Sequence, residues 1–393
     1  MQNITKEEEH IRQLLKRVHN AHALGQFKKR DYWVRTYLDS YDAKLLAIRR
    51  ANKKFKLNRR FDDKELQAMA SGMDAWKGTT EEVLVHLKRK PSNPCDFRIY
   101  MAFGIQNRGL QYLIFELLKE LAEIEPYQYT ARGGVKAAIM HAVNAMSAGP
   151  VWAIELDVTD CYPSFDGKKL PGLLPLPEEV STNVLISEYL NMKGGNITYH
   201  FGPTGIDDPG APFMLEETLV EARRGIPQGS ATSSLIAEMV LAMALKQVPI
   251  LGHKIAYGDN SLLLAKSEGD LVAMTQALES ALKAHPVGLF WPKAKKFLPG
   301  QPIKFLGHLL TPKHGGHVHI APSPENRAKF EAEMASKLKR LKTKMMPDVM
   351  ARERQQARHY VRSWTAAFSL SEGIEDERNY WMQWIKATTP LSA

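Results

Sequence analysis

Cysteine is nearly missing: Cys95 and Cys161 are the whole supply in 393 residues, too few for a disulfide framework, which points to a reducing compartment such as the cytosol. No run of about 18 apolar residues occurs, and the first stretch, MQNITKEEEHIRQLLKRV, is charged and helical in pattern with no apolar core. Neither a membrane span nor a secretory leader is expected. Internal repeats and low-complexity tracts are lacking as well, which excludes a solenoid array. Negative charge is in short supply, 43 Asp and Glu against 53 Lys and Arg, so the chain carries a net +10 and a pI near 9.3. That balance suits a polyanionic partner, an unspecialised basic surface being the alternative. What is present in quantity is apolar side chain, 44% of the residues, enough for a large core in one multi-lobed unit or a few subdomains.

The chemistry gathers in two stretches. In VWAIELDVTDCYPSFD, residues Trp152, Ile154, Leu156 and Val158 alternate with Val151, Ala153, Glu155 and Asp157, which predicts a strand that delivers Asp157 to its far end. Pro163 ends that strand, and Tyr162 comes just before it. Alone, Asp157 reads as a surface carboxylate. In IAYGDNSLLLA, two apolar strands flank a tight turn whose Gly258, Asp259 and Asn260 suit positive φ, and the hairpin presents Asp259 at its tip. If the two tips meet, carboxylates about 4 Å apart repel by roughly 4 kcal/mol at an effective dielectric near 20, and a cation is needed between them. Two divalent ions about 3.5 to 4 Å apart, activating an attacking hydroxyl and stabilising a leaving phosphate, answer that need, and nucleotidyl transfer is the chemistry they imply.

With RRGIPQGSATSS lying between LDVTDCYPSFD and AYGDN, the order of motifs resembles the palm of reverse transcriptases: a metal Asp, a Pro-Gln-Gly loop before a helix, then a Tyr-x-Asp-Asp hairpin, with Asn260 at the second Asp position here. The resemblance covers about residues 90–310 and implies an α+β, right-hand polymerase with fingers, a mixed α/β palm and a helical thumb. Its expected divisions are a helical extension over 1–85, fingers over 86–150, a palm over 151–320 with a fingers insertion at about 167–224, and a thumb over 321–393. The metal ligands implied are Asp157, Val158 and Asp259, holding two Mg²⁺ ions or Mn²⁺ in their place. An amide at Asn260 still offers an oxygen to a metal or a neighbour while removing one negative charge.

Further positions follow from the same resemblance. Arg98, Asn107, Arg108 and Gln111 match the first fingers motif of group II intron-type enzymes, with the Arg98 guanidinium forking onto the incoming triphosphate. Arg132 with Gly133 and Gly134, opening a helix, matches the second, where backbone approaches a phosphate or base; a simple turn is the alternative. Tyr162 corresponds to the aromatic that blocks a 2′-hydroxyl by bulk. Gln228 and Gly229 would lie against the templating base and the nucleotide, where a side chain at Gly229 would collide, and Ser230, Thr232 or Ser233 would cap the helix that follows. Lys295 would act as general acid toward pyrophosphate, spacing alone not separating it from Lys293 and Lys296. Phe305, Leu306 and Gly307 would form a hairpin that grips the primer.

Elsewhere the reading is coarser. Thr5 to about Lys90 is helical in pattern, with DYWVRTYLDSYDAKLLAIRRANKKF continuing a basic helix whose Lys53, Lys54, Lys56, Arg59 and Arg60 suit either a phosphate or a solvated helix end. TNVLISEYLNM reads as a helix and GNITYHFGPTG as a hairpin beside the site. His308, His314, His317 and His319 suggest zinc less than a polar hairpin turn, since no Cys or carboxylate cluster accompanies them. From Pro324 onward come basic amphipathic helices of the kind that lie along a duplex.

The expected activity is RNA-directed DNA polymerisation in the cytoplasm, with RNA template, DNA primer and product duplex and deoxynucleoside triphosphates as partners. The lineage expected is stand-alone or antiviral-defence-associated. A viral-type RNA-dependent RNA polymerase is the first alternative, though such enzymes place a second Asp where Tyr162 stands. A non-catalytic nucleic-acid-binding relic is the second.

Overall fold

The computed structural model describes residues 6–90, 93–195, 211–342 and 346–388, with the side chains of 57, 88–97 and 211–215 left aside. Helices α1 (Lys6–Ala23), α2 (Phe27–Asp39), α3 (Tyr41–Asn52) and α4 (Asp63–Gly72) come first. The long helical pattern beginning at Asp31 is broken at Ser40, whose hydroxyl accepts from the Ala43 N–H at 3.4 Å and so starts α3. Arg60 donates to the carbonyls of Phe55 (3.1 Å) and Lys53 (2.9 Å), which places it among the orphan acceptors at the end of α3, the helix-end alternative for this basic cluster.

The helical expectation fails beyond α4. Val83, Val85 and Leu87 are buried at every second position and form strand β1 (Val83–Lys90), antiparallel to β2 (Asn93–Ala102). Two-residue periodicity over so short a run is easily taken for helix when basic residues follow it. Helix α5 (Ile105–Leu121) is next. Its first turn is held by Glu81, whose carboxylate accepts from the N–H groups of Gln106 (3.3 Å) and Asn107 (2.8 Å), an anion at the positive end of the helix. Leu110, Leu113, Ile114, Leu117, Leu118 and Leu121 are all buried, because α5 is covered by the N-terminal helices on one side and by the central layer on the other.

After α6 (Gly134–Ser147) the central strand β3 (Trp152–Thr159) begins, then α7 (Leu170–Leu173), α8 (Glu178–Leu185) and β4 (Met192–Gly194), which pairs parallel to β1. The helix expected over TNVLISEYLNM therefore stops at Leu185: Ile186 is extended, and the Ser187 N–H is bound to the Gly225 carbonyl at 3.0 Å. The hairpin expected over GNITYHFGPTG lies outside the described residues from 196 on. Then come α9 (Ala211–Ala222), α10 (Ser233–Lys246), β5 (Gly252–Tyr257), β6 (Asn260–Ala265), α11 (Glu268–Lys283) and β7 (Trp291–Phe297). Strands β5, β6, β3 and β7 make an antiparallel sheet in that order. One face, with Ile154, Leu156, Val158, Leu263 and Ala256, packs on α10 and α11. The other, with Ala153, Leu262, Leu264 and Phe297, packs on α6 and on a meander of β8 (Ile303–Phe305), β9 (His308–Pro312) and β10 (Val318–Pro322).

Helices α12 (Pro324–Lys342), α13 (Pro347–Ala367) and α14 (Ile374–Ala387) close the chain around a core of their own. Phe330, 1% exposed, is its centre: Trp364 stacks on it with ring centroids 3.9 Å apart, and Tyr360 and Trp381 follow at 5.6 Å. Phe330→Ala is expected to cost about 3–5 kcal/mol. Urea unfolding followed by tryptophan fluorescence checks it, and a cost below about 1 kcal/mol would show that the aromatic stack is not what holds these helices.

Candidate active site

Strand register brings the two carboxylates together. Along the antiparallel ladder between β3 and β6, Asp157 stands opposite Asn260, and directly opposed residues project to the same face. Asp259 is the next residue, in the two-residue turn closed by the Tyr257–Asn260 pair. Of the turn residues only Gly258 takes positive φ, at 61°, where the sequence suggested all three could. Asp157 is exposed and Asp259 half-buried. Burial and then the charge of Asp157 raise the Asp259 pKa, while Arg98 and a hydrogen bond from Asn260 oppose the rise. Asn260 thus directs its amide N–H to the Asp259 carboxylate, at 3.2 Å, rather than only offering an oxygen.

Tyr162 is fixed from several sides. Strand β3 ends at Thr159, before Pro163, with Asp160 at φ 46° and its carbonyl accepting from the Ser164 N–H (3.1 Å) and hydroxyl (2.8 Å). The Tyr162 phenol lies 3.3 Å from the Ser234 hydroxyl, and burial followed by the charge of Asp259 pushes its pKa up, with Arg98 opposing. The Tyr162 carbonyl accepts from the Ile226 N–H at 3.0 Å, and a Cβ at Gly225 would lie 2.0 Å from that oxygen, so only glycine fits.

Gln228 and Gly229 are engaged by protein. The Gln228 carbonyl accepts from the Met101 N–H on β2 at 2.9 Å. Gly229 has φ 106°, and a Cβ there would meet the Met101 carbonyl at 2.6 Å. The steric demand that the resemblance placed against base and nucleotide is met first by this strand. Thr232 occupies the N-cap of α10 without a side-chain cap bond, since its hydroxyl pairs with Ser230 at 2.9 Å while Ser233 donates to the Pro227 carbonyl at 2.8 Å.

Register also separates the lysines. Lys293 stands opposite Asp157 and Lys295 opposite Glu155, on the face that carries Asp157. Lys296 pairs with Ile154 on the other face, is ion-paired to Glu268 and covers the Trp152 ring at 4.9 Å. Lys295 sits 5.1 Å over the Phe297 ring and offsets the rise that burial imposes on the Glu155 pKa. Arg132 is exposed at the start of α6, where Gly133 (φ 78°) is the N-cap.

At the other end of this face, Leu306 (φ 45°) and Gly307 (φ 79°) make the two-residue turn between β8 and β9. The Gly307 carbonyl accepts from the Ser323 N–H (2.8 Å) and the Asn326 amide (3.1 Å), which ties the turn to α12. Phe305 is fully buried, so only Leu306 and Gly307 are left for contact with a strand. His317 and His319 both pair with Glu372, at 3.5 and 2.8 Å, and His308 is buried with its Nδ1 3.1 Å from the Leu306 carbonyl. Among the described residues no group of three or more His, Cys, Asp or Glu suits a metal ion, and these histidines lie on β9, β10 and the turn between them.

Sequence reasoning missed Glu238, which is 1% exposed on α10. Its carboxylate accepts from the N–H groups of Tyr129 (2.9 Å) and Thr130 (2.9 and 3.1 Å). A lone acid within the apolar run SSLIAEMVLAMAL was the available signal, because a buried charge requires partners.

An antiparallel sheet backed by helices, with a carboxylate on its central strand and another at the adjoining hairpin tip, is the layout of a polymerase palm. A sequence model of the family "Reverse transcriptase (RNA-dependent DNA polymerase)" matches residues 88–310, and the chain belongs to that family. The family implies the right-hand polymerase fold, a nucleic-acid template and nucleotide substrates. A search of curated proteins returns no match. Among the described residues no helix is long and apolar enough to cross a membrane.

Burial lifts Glu238 from an ordinary 4.5 to about 7, against the amide donors that lower it. The native state then holds a proton that the unfolded chain has lost, so this group's stabilising contribution is full below about 4.5 and declines as pH rises to about 7. Relative to Glu238→Gln, the wild type should lose about 3 kcal/mol of unfolding free energy between those limits. Urea unfolding of both proteins at pH 5 and 7.5 measures the difference, and parallel pH profiles would refute it.

Proposed function

We propose that the chain is an RNA-directed DNA polymerase that joins deoxynucleotides by nucleotidyl transfer at Asp157 and Asp259. The observation that carries this reading is the β3–β6 ladder, which sets Asp157 opposite Asn260 and beside Asp259 although the sequence separates them widely. The donor set is two carboxylates, with burial and then the charge of Asp157 raising the Asp259 pKa, an arrangement that a divalent cation between them would relieve. Asp157, Asp259 and the main-chain carbonyl of Val158 would hold two Mg²⁺, or Mn²⁺, which when bound supply Lewis-acid activation of a primer hydroxyl and stabilisation of the leaving phosphate. Asn260, in place of an acid, would leave these ions with one negative charge fewer from the protein.

The other side chains bind, orient and exclude. Arg98, whose charge acts on Asp259 and Tyr162, would hold the triphosphate with its forked guanidinium. Tyr162, held by the Gly225 backbone and Ser234, would present its ring against the 2′ position and so block a hydroxyl there. Lys295, on the Asp157 face, would return a proton to pyrophosphate; Lys293, nearer Asp157 by register, is its competitor for that role. Arg132, Gln228 and Gly229 would border the templating base, and the Leu306–Gly307 turn would bear on the primer. The lobes follow: β1, β2, α5 and α6 as fingers, the four-stranded sheet as palm, and the basic helices α12 to α14 as a thumb along the duplex.

Asp157→Asn and Asp259→Asn should each lower primer extension by about 10³-fold or more while leaving the protein folded. If metal-dependent incorporation is absent from the wild type, the chain is a binding relic. Tyr162→Ala should relax discrimination against ribonucleotides by about 10–100-fold in competition assays. A wild type that extends better with ribonucleotides than with deoxynucleotides would replace this reading with an RNA-dependent RNA polymerase.

A further inference from the structure

Glu238 is the sole charged residue of α10 before Lys246 at its end, and a leucine there would suit the apolar core better. Its partners account for it. The segment leading to Arg132 lies between α10 and β5: Ala256 N–H donates to the Tyr127 carbonyl at 2.8 Å, and the Gln128 amide, fully buried, donates to the Glu238 carbonyl oxygen at 3.1 Å. The Glu238 carboxylate takes the main-chain N–H groups of Tyr129 and Thr130. The Thr130 hydroxyl in turn accepts from the Gly258 N–H at 2.9 Å, and Gly258 begins the turn that carries Asp259. Hydrogen bonds therefore run without interruption from the helix after the Pro227-Gln228-Gly229 loop, through the loop before Arg132, to the turn before Asp259.

We infer that Glu238 is a positioning residue, a buried clamp that sets the Asp259 turn and the Arg132 loop in fixed relation to α10. The inference rests on the reading of Asp259 as a reacting-site carboxylate. The clamp's acceptor is an acid because its two oxygens can receive several N–H and O–H donors at once and, once ionised, offer none in return, whereas an amide presents a donor to donors at every pH. Backbone N–H groups of Tyr129 and Thr130 that lost this acceptor would need another inside a closed interior. The loop would shift to find it, and the Gly258 turn with it.

Two variants separate the links. Glu238→Gln keeps the volume but turns an N–H₂ toward Thr130. Thr130→Val keeps the shape and the main-chain bonds to Glu238 but removes the hydroxyl that accepts from Gly258 and donates to Glu238. Each is expected to lower kcat for primer extension about 10–100-fold with KM for the nucleotide nearly unchanged, since displaced catalytic geometry acts on the reacting arrangement. The double variant should be no worse than the weaker single, because both cut one chain of contacts. Hydrogen–deuterium exchange, which needs no activity, should show faster uptake in peptides covering 127–134 and 256–261, with α12 to α14 unchanged. Wild-type uptake and kcat in both variants would overturn the inference, and so would faster uptake with unchanged kcat, which leaves Glu238 merely structural. Faster uptake in a protein whose wild type extends no primer would uphold the clamp's mechanics and overturn the polymerase reading instead.

Discussion

Two carboxylates held against each other at the end of one sheet are the constraint on which the rest depends. Burial of Asp259 and then repulsion from Asp157 disfavour its charged form, so the pair is electrostatically costly to fold. The stabilisation that offsets it comes from the other end of the same strands. Ile154, Leu156, Leu263 and Ala256 bury against α10 and α11, while Ala153, Leu262 and Leu264 bury against α6 and the β8–β10 meander. Six ladder pairs to β6, from Trp152–Ala265 to Asp157–Asn260, and seven to β7 fix β3 from both sides, which holds Asp157 opposite Asn260.

Around the pair, charge is moderated by distance and type. Asn260 removes one negative charge and donates an N–H to Asp259 in exchange. Arg98 comes from β2, and β2 is latched to the Pro-Gln-Gly loop through Met101 and Gln228, so the positive group reaches the acids only while that latch holds. Lys293 and Lys295 arrive from β7 on the opposite side by register alone. The cations therefore come from β7 and from β2 of a separate sheet, while the acids sit at the end of β3 and in the β5–β6 turn.

How much of this could be read without coordinates depends on the range of the interaction. The alternation around Asp157, the apolar strands about Gly258 and the helices from Pro324 are local patterns, and the structure has strand, hairpin and helices there. Register is not local: three lysines at 293, 295 and 296 look equivalent in sequence, and only the β3–β7 ladder sends Lys296 to the other face. Phe305 looked like part of a grip, yet it is core, because burial is set by what packs above β8. The strand at Val83 was lost to a helical pattern that ended earlier than its basic continuation suggested, and the need for glycine at 229, read from a ligand, is already set by a neighbouring strand. Glu238 escaped because one residue in an apolar helix gives no hint of amide donors contributed by a loop more than a hundred positions away.

The buried acids share a direction. Asp259, Glu155 and Glu238 all have raised pKa values, and in each case burial is the largest cause. Only Glu155 has lysines set against it, Lys295 and Lys304; Glu238 is met by neutral N–H and O–H donors. The difference follows position. Glu155 is half-buried on β3 opposite Lys295 of β7, whereas Glu238 lies against the Tyr129–Thr130 segment, whose amides meet it. A lysine forced in there would displace the Tyr129–Thr130 segment that leads to Arg132, while backbone amides occupy no more space than the chain already takes. Neutral donors therefore hold Glu238 behind the Asp259 turn with no cation beside it among the causes that set its pKa.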